Sequence, residues 1–550
     1  MIRKIFLCLG IFCLMLASCA KEPQREVSYK NAFVTSFEIN GKKVDTGKTA
    51  TDIDGREVLI TIHYSSPVDK SSIDITRFSI TKLSEAFELV DNPDPTSITL
   101  KIKESLPDYE TYIFSVFKGK NHGLNLISSY KFTFITQMAA GDKFERISTD
   151  SLLTLVQKRT FKYFWDYAHP VSGLARERLN SGNTVTSGGS GFGIMTLPVG
   201  IERGFISRAE GAERMLKIAT FLDEKAERFH GVYPHWLNGE TGKTIAFSTK
   251  DNGADLVETA LLIQGLLAAR QYFNLENETE TAIRQKITTI WEAVEWDWFL
   301  NNSDALYWHW SPNYGWDMNM RISGWNEALI VYVLATSSPT HSISASVYES
   351  GWARNGGMRN GKKFYNITLP LGEDYGGPLF FAHYSFMGLD PRNLQDKYAN
   401  YWEQNTAHAQ IHHAYCKANP KGHYGYSDSC WGLTASDFHD GYTASSPLND
   451  KGTIAPTAAL SSFPYTPQES LKALEYFYYE LGDRLFKEYG FVDAFTLSKK
   501  WFAPSYIAID QGPIVVMIEN YRSGLLWNYF MKDSEVLAGL NKLGISYTKE

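Results

Sequence analysis

Polar and apolar residues alternate with a period of two through the first quarter of the chain. The runs Phe33-Val-Thr-Ser-Phe-Glu-Ile39, Val58-Leu-Ile-Thr-Ile-His-Tyr64, Phe78-Ser-Ile-Thr81, Ile98-Thr-Leu-Lys-Ile102, Tyr112-Ile-Phe-Ser-Val-Phe117 and Tyr130-Lys-Phe-Thr-Phe-Ile135 follow this pattern, between clusters of Asn, Gly, Pro and Asp. Successive side chains of a strand face opposite ways, so each run reads as a half-buried strand. Six or seven such strands within residues 30–138 predict a small β-sandwich of immunoglobulin-like size. A boundary falls near Met138-Ala-Ala-Gly-Asp142, and from Thr149 the apolar residues recur at helical spacing. This spacing predicts helices over 149–168, 207–229, 251–273, 279–300, 324–336, 343–354, 378–389, 395–418, 467–488 and 511–530. The intervening Gly-, Asn- and aromatic-rich stretches 172–196, 304–323, 356–377 and 421–465 read as loops. Ten or more helices without strong strand runs predict a mainly α domain over 145–545, a ring of helix pairs in an (α/α)6 toroid. Its concave end would hold a ligand. No repeat of fixed period supports an α-solenoid instead.

The N-terminus is a targeting segment rather than fold. Arg3 and Lys4 precede an apolar run from Ile5 to Leu16, too short to span a bilayer as a mature helix. The run ends in Leu16-Ala-Ser-Cys19, which resembles the bacterial lipobox. That resemblance implies a signal peptide over 1–18, cleavage before Cys19, lipid modification of its thiol, and a polar tether over 19–29. The expected address is a lipid anchor on the outer membrane, facing the periplasm or the cell surface. Cys8 and Cys13 would leave with the signal, so Cys416 and Cys430 remain, read as buried thiols.

Composition narrows the function. The chain carries 14 Trp, 31 Tyr and 32 Phe, an aromatic share of 14%. Trp and Tyr rings fill large cores, and they also stack against the C–H faces of sugars. A net charge of −7 argues against nucleic acid, which calls for a basic face. No HExxH, CxxC or GxSxG occurs, and His412 and His413 are adjacent, so a helix would point them apart. Neither a metal nor a cofactor is expected. Gly188, Gly189, Gly191 and Gly193 read as a loop whose backbone approaches a ligand or a neighbouring helix.

Carboxylates supply the candidate chemistry. Asp251, Asp255 and Glu258, four and then three apart, would share one stripe of the helix predicted from 251, with no Lys or Arg before Arg270 to relieve them. Glu327 follows Trp325 and Asn326 at a helix start, in a segment that also holds Trp308, Trp310 and Trp316. A carboxyl beside Trp rings is desolvated, which raises its pKa toward that of a general acid. Asp510 precedes a helix expected to begin near Pro513, where capping is the competing explanation. One acid to protonate a leaving oxygen and one carboxylate as base or nucleophile suffice for glycoside hydrolysis.

Five motifs, in order, resemble one family: Asp251-Asn-Gly-Ala-Asp255-Leu-Val-Glu258, Trp325-Asn-Glu327, Gly376-Gly-Pro-Leu-Phe-Phe-Ala-His-Tyr-Ser-Phe386, Tyr424-Gly-Tyr-Ser-Asp-Ser-Cys-Trp-Gly-Leu-Thr-Ala-Ser-Asp437 and Ala508-Ile-Asp-Gln-Gly-Pro-Ile-Val-Val-Met-Ile-Glu-Asn520. Together they resemble the bacterial glycoamylase-like proteins, and more narrowly the endo-β-1,2-glucanases of glycoside hydrolase family 144. The resemblance spans roughly 145–545. It implies an (α/α)6 barrel with a large cleft and inverting endo-hydrolysis of linear or cyclic β-1,2-glucan to short sophoro-oligosaccharides. It also implies that Asp251, Asp255, Glu258 and Glu327 are needed for activity. Glu327 is carried as the acid and Asp510 as candidate base. Trp308, Trp310, Trp316, Trp325, Asn326, His383, Tyr426 and Trp431 are taken as substrate-binding. Inversion needs carboxyls roughly 6.5–9.5 Å apart, farther than adjacent helical turns place them. Asp251, Asp255 and Glu258 are therefore expected to form one wall that grips sugar hydroxyls.

The competing readings are an α-glucan hydrolase of glucoamylase type, a non-catalytic glycan-binding lipoprotein, and, ranked lowest, a helical-toroid lyase. A monomer is expected.

Overall fold

The computed structural model describes residues 29–120 and 122–548. Two compact units part between Ala139 and Ala140. The segment read as a signal peptide, Cys19 and all but the last residue of the stretch read as a tether fall outside the described residues.

In the first unit nine strands form two sheets. They are β1 (Val34–Ile39), β2 (Lys42–Val44), β3 (Ala50–Ile53), β4 (Leu59–Tyr64), β5 (Phe78–Ile80), β6 (Phe87–Val90), β7 (Ser97–Ile102), β8 (Thr111–Val116) and β9 (Tyr130–Thr136). One sheet runs β2-β1-β4-β7-β6 and is antiparallel throughout. The other runs β3-β9-β8-β5, with β3 parallel to β9. In β4 the side chains of Ile60, Ile62 and Tyr64 are buried and their neighbours are not. They join Phe37, Leu100, Phe114, Phe132 and Phe134 in one core. Each such side chain contributes about 1.5–3 kcal/mol on burial.

The second unit is mainly helical. Its principal helices are α1 (Thr149–Trp165), α2 (Ser187–Glu202), α3 (Arg208–Glu224), α4 (Leu256–Tyr272), α5 (Glu278–Glu292), α6 (Leu329–Ser337), α7 (Tyr401–Ala418), α8 (Pro456–Leu460), α9 (Pro467–Glu475), α10 (Ala508–Ser523), α11 (Leu525–Phe530) and α12 (Ser534–Lys542). Side-chain caps start many of them, such as Ser148 at α1, Asn277 at α5 and the Ser207–Glu210 capping box at α3. Two kinds of helix result. α3 and α5 bury one stripe, whereas α2, α4, α6 and α10 are buried nearly all round. A helix apolar on every side must be wrapped by others. α2 packs against both α4 and α10, α4 against α6, and α8 against α10, while α1 and α3 pack outside.

Several boundaries differ from the sequence reading. Residues 187–196, read as a loop, open α2. Its glycines exist for contact with α4: a Cβ on Gly191 would lie 2.3 Å from the Leu261 carbonyl oxygen, and one on Gly265 would lie 2.2 Å from that of Gly191. Alanine is the better helix former by about 1 kcal/mol, yet here it would push two backbones apart. Gly191→Ala is therefore expected to destabilise the protein by a net ~2 kcal/mol in denaturant unfolding. An unchanged midpoint would contradict the close-packing account.

α4 begins at Leu256 rather than 251, because Ala254–Asp255 first pairs as a strand with His309–Trp310. α10 begins at Ala508, with Pro513 inside it. Proline there lacks only its own N–H bond to an early carbonyl, a loss that surrounding packing tolerates. The predicted helix 378–389 resolves into two short 3₁₀ turns, 379–382 and 385–387, and α12 is an addition. Cys416 and Cys430 are buried free thiols.

Candidate active site

A cavity of about 440 Å³ opens among the buried helices. One wall is acidic. Asp251 sits in the loop before α4, Asp255 is the N-cap of α4, its Oδ1 accepting the Glu258 N–H at 2.9 Å, and Glu258 is in the first turn. The three thus meet without sharing a helical stripe. His235 holds them together. Its Nδ1 lies 3.0 Å from Asp255 Oδ2 and 3.8 Å from Asp251 Oδ2, and its Nε2 lies 3.9 Å from Glu258 Oε1. Burial pulls the imidazole pKa down, but Glu258, Asp255 and Asp251 outweigh it and hold it up at about 9. His235 is then a cation at neutral pH, and it supplies the charge missing from the sequence of α4.

Glu258 accepts the Gly188 N–H at 2.8 Å at the start of α2. Burial and the charge of Asp255 nevertheless raise its pKa, against the pull of His235. Asp251, only 2% exposed, has His309 Nε2 3.2 Å from its Oδ1. His235, Asp251 and Asp255 bring three ligand-type atoms within 4.8 Å of one another, an arrangement that could also take a metal ion.

Glu327, just before α6, lines the same cavity. Burial, then the charges of Glu258 and Asp255, push its pKa up to about 7. Ser385 Oγ donates to its backbone carbonyl and fixes the turn that presents it.

The opposite wall joins segments far apart in sequence. Arg178 pairs with Glu177 at 3.0 Å and with Asp437 at 3.1 Å. The Asp437 N–H donates to Asp493 Oδ2 at 2.7 Å, and the carboxyls of Asp493 and Asp510 hydrogen-bond each other. Burial, and then its neighbour's charge, raises Asp493 to about 7 through Asp437 and Asp510 well above the carboxylate range through Asp493. Two buried carboxyls this close share a proton. Asp510 does not reach the cavity surface. Tyr384 does, and its hydroxyl stands 3.5 Å from Asp510 Oδ1.

The cavity thus gathers Glu258 and Glu327 from the sequence-derived set, with Asp251, Asp255 and Asp510 behind its walls. Glu177, Arg178, His235, Tyr384, Asp437, Tyr442 and Asp493 were not singled out, although Tyr384 and Asp437 lie inside two of the quoted motifs.

The aromatic candidates need correction. The cavity is lined by Trp236 and Phe247, with Phe247 stacked on His235 at 4.3 Å. Trp310 and Trp316 instead pack around Trp298, at 5.3 and 4.7 Å. Trp308 is half-buried and its carbonyl accepts the Leu256 N–H. Trp431 is core, its indole N–H bonded to the Glu469 carbonyl, and Tyr426 is buried on Asp450. His383 is buried on Ser462, where burial, then the neighbouring His408, drives its pKa down to about 3. Each of these three satisfies a polar atom inside the protein, so none is presented to a ligand here. Trp325 and Asn326 line a different cavity.

The chain is similar to known glucan-acting enzymes. Residues 319–534 match the family model Glycoamylase, described as "Putative glucoamylase". The endo-β-1,2-glucanase of Chitinophaga pinensis, solved with sophorotriose and glucose, is 54% identical, with a TM-score of 0.72 over 73% of this chain and 99% of that one. The β-1,2-glucanase of Parabacteroides distasonis is 40% identical, with a TM-score of 0.71 over 94% of this chain and 73% of that one. A curated relative from Parabacteroides distasonis, an exo β-1,2-glucooligosaccharide sophorohydrolase acting at the non-reducing end, is 49% identical over 420 residues, 72% of this chain. The chain spans 58% of that relative's length. With its acidic wall, the buried Glu327 and these relatives, the chain belongs to the glycoamylase-like family of β-1,2-glucanases, glycoside hydrolase family 144.

Proposed function

We propose that the helical unit hydrolyses β-1,2-glucan, linear or cyclic, by internal cleavage to short sophoro-oligosaccharides. The observation that carries this reading is Glu327: a carboxyl in the cavity wall whose pKa of about 7 keeps it protonated near neutrality. It protonates the departing glycosidic oxygen. Water enters from the side of Arg178. The sequence reserved the base role for Asp510, but a carboxyl that shares a proton and is 1% exposed is poorly placed to take another. Asp437, 14% exposed and ion-paired with Arg178, is the carboxylate of that wall we assign to water activation. Water attack opposite the leaving group inverts the anomeric carbon.

The buried helices α2, α4, α6, the 379–387 turns, α8 and α10 are taken as the inner ring of an (α/α)6 toroid, with amphipathic helices outside. The strand-rich unit is assigned an immunoglobulin-like spacer or docking role, or failing that carbohydrate binding. The Leu16–Cys19 motif supports a lipid anchor at the outer membrane, and the protein is taken as a monomer. No metal or cofactor is assigned to the reaction.

Incubation with β-1,2-glucan and with starch, followed by separation of the products, tests the assignment. A ladder of β-1,2-linked oligosaccharides, first released as the α-anomer, is expected. Glucose from starch with β-1,2-glucan left intact would instead establish a glucoamylase. Disaccharide alone from the first time point would favour the exo action named for the 49% identical relative.

A further inference from the structure

We infer that His235, Asp251 and Asp255 bind a zinc ion, and that the bound ion inhibits the neighbouring active site. Three ligand-type atoms, one from each residue, lie within 4.8 Å of one another. His235 Nδ1 is 3.0 Å from Asp255 Oδ2 and 3.8 Å from Asp251 Oδ2. Ligands held at about 2.0–2.1 Å around a tetrahedral ion stand about 3.3 Å apart, so these distances bracket the spacing that zinc requires. An imidazole nitrogen beside two carboxylate oxygens suits zinc, whereas calcium and magnesium take oxygen ligands. Binding stands apart from the proposed glucanase reading, and inhibition rests on it.

Asp251 sets this cluster apart from an ordinary acidic patch. It is 2% exposed, yet among the described residues neither carboxylate oxygen receives a hydrogen bond. His309 Nε2 stands 3.2 Å from Oδ1, but it accepts the Gly253 N–H at 3.3 Å, a role that leaves no proton on that nitrogen. His235 has one proton on Nδ1, and the shorter contact gives it to Asp255. A buried carboxylate without a donor is costly. One proton serves one acceptor, whereas an ion in the same gap serves the nitrogen and both carboxylates. The imidazole releases its Nδ1 proton to solvent as the ion binds. Its Nε2–H stays turned toward Glu258 Oε1, 3.9 Å away, and a metal-bound imidazole usually has such a partner on its far nitrogen.

Each ligand is held by its own backbone. The His235 carbonyl accepts the Ser187 N–H at 3.1 Å, that of Asp251 accepts the Phe247 N–H at 2.9 Å, and Asp255 pairs with His309 across a two-stranded ladder. His235 lines the cavity with 21% of its side chain exposed, which gives the ion its way in and leaves a fourth position for water. A small ion lies between its ligands, so it needs no exposed face on Asp251. Once bound, it cancels the Asp255 charge that helps to keep Glu327 protonated. The acid is then lost at neutral pH.

The test strips the full chain with a chelator and dialyses it to equilibrium against Zn²⁺ alone. A group that merely orients a metal ligand is worth about 10–100-fold in affinity, so Asp251→Asn and His235→Gln should each weaken one equivalent of zinc by more than about tenfold. Asp251→Asn keeps the side-chain shape and carries the test if His235→Gln fails to fold. Co²⁺ added to the unaltered protein should show the visible bands of a four-coordinate ion, a readout that needs no variant. Hydrolysis of β-1,2-glucan should fall about tenfold or more as the zinc equivalent fills, and return on adding EDTA. Zinc held equally well by all three proteins, or no zinc bound at about 0.1 mM, would overturn the site. An undiminished rate with that equivalent in place would overturn the inhibition. An unaltered protein that binds zinc as expected but never cuts β-1,2-glucan would bring down the glucanase reading and sustain the site.

Discussion

Replacing Glu327 by glutamine is expected to lower kcat on β-1,2-glucan by about 10²–10⁴-fold. Glutamine preserves shape and contacts but has no proton to give, so the loss isolates proton donation. Binding is expected to survive, with KM little changed, because the uniform contacts to the sugar remain. The pH profile provides an independent check. The pKa of Glu327 is held near 7 first by burial and then by the charges of Glu258 and Asp255. The active form is the protonated one, so activity should fall as pH rises through about 7. Asp255→Asn removes one of the charges that favour that proton and should move the alkaline limb to lower pH. The same substitution keeps an N-cap for Glu258, so α4 is expected to hold. A good leaving group, such as nitrophenolate, needs little protonation and should recover much of the Glu327→Gln rate. An unaltered rate and limb in Glu327→Gln would remove the acid from this position.

What the sequence disclosed here was local chemistry. The alternation in Leu59–Tyr64 and the carboxylates of Asp251–Glu258 are each written within a few neighbouring residues, and both reach the structure as strand and acidic wall. What it concealed depends on chains meeting from afar. α2 looked like a loop because glycine disfavours an isolated helix, whereas its glycines answer to the backbone of α4. His235, some twenty residues from Asp255, had no marker beyond a Pro-His-Trp sequence. Arg178, Asp437, Asp493 and Asp510 lie in four separated segments, so no spacing could reveal that they share hydrogen bonds and charge. The tryptophans misled for a different reason. Stacking on sugars and packing in a core draw on the same residue type, and only contacts distinguish Trp236 at the cavity from Trp431 in the core.

His235→Leu is expected to destabilise the protein by ~3 kcal/mol, since removing one partner of a buried ion cluster leaves the others uncompensated. The lower end of the usual range applies because the side chain retains 21% exposure. Among the described residues the imidazole of His235 contacts all three of Asp251, Asp255 and Glu258, whereas that of His309 reaches Asp251. The pKa of His235 is raised from about 6.5 unfolded to about 9 folded. Its contribution is then fully present below pH ~6.5 and is lost as pH rises through about 9. In the variant the carboxylates take up protons as pH falls, which relieves their repulsion from the acid side. The stability gap between the two proteins should therefore peak near pH 6–7 and narrow in both directions. A loss due only to packing would be flat across this window. The double variant His235→Leu/Asp251→Asn separates the two accounts at a single pH. Removing a carboxylate from an uncompensated cluster should restore part of the lost stability, so the double variant should unfold at a higher denaturant concentration than His235→Leu alone. If His235 served only to fill space beside Phe247, removing the Asp251 charge would restore nothing, and the two losses would add.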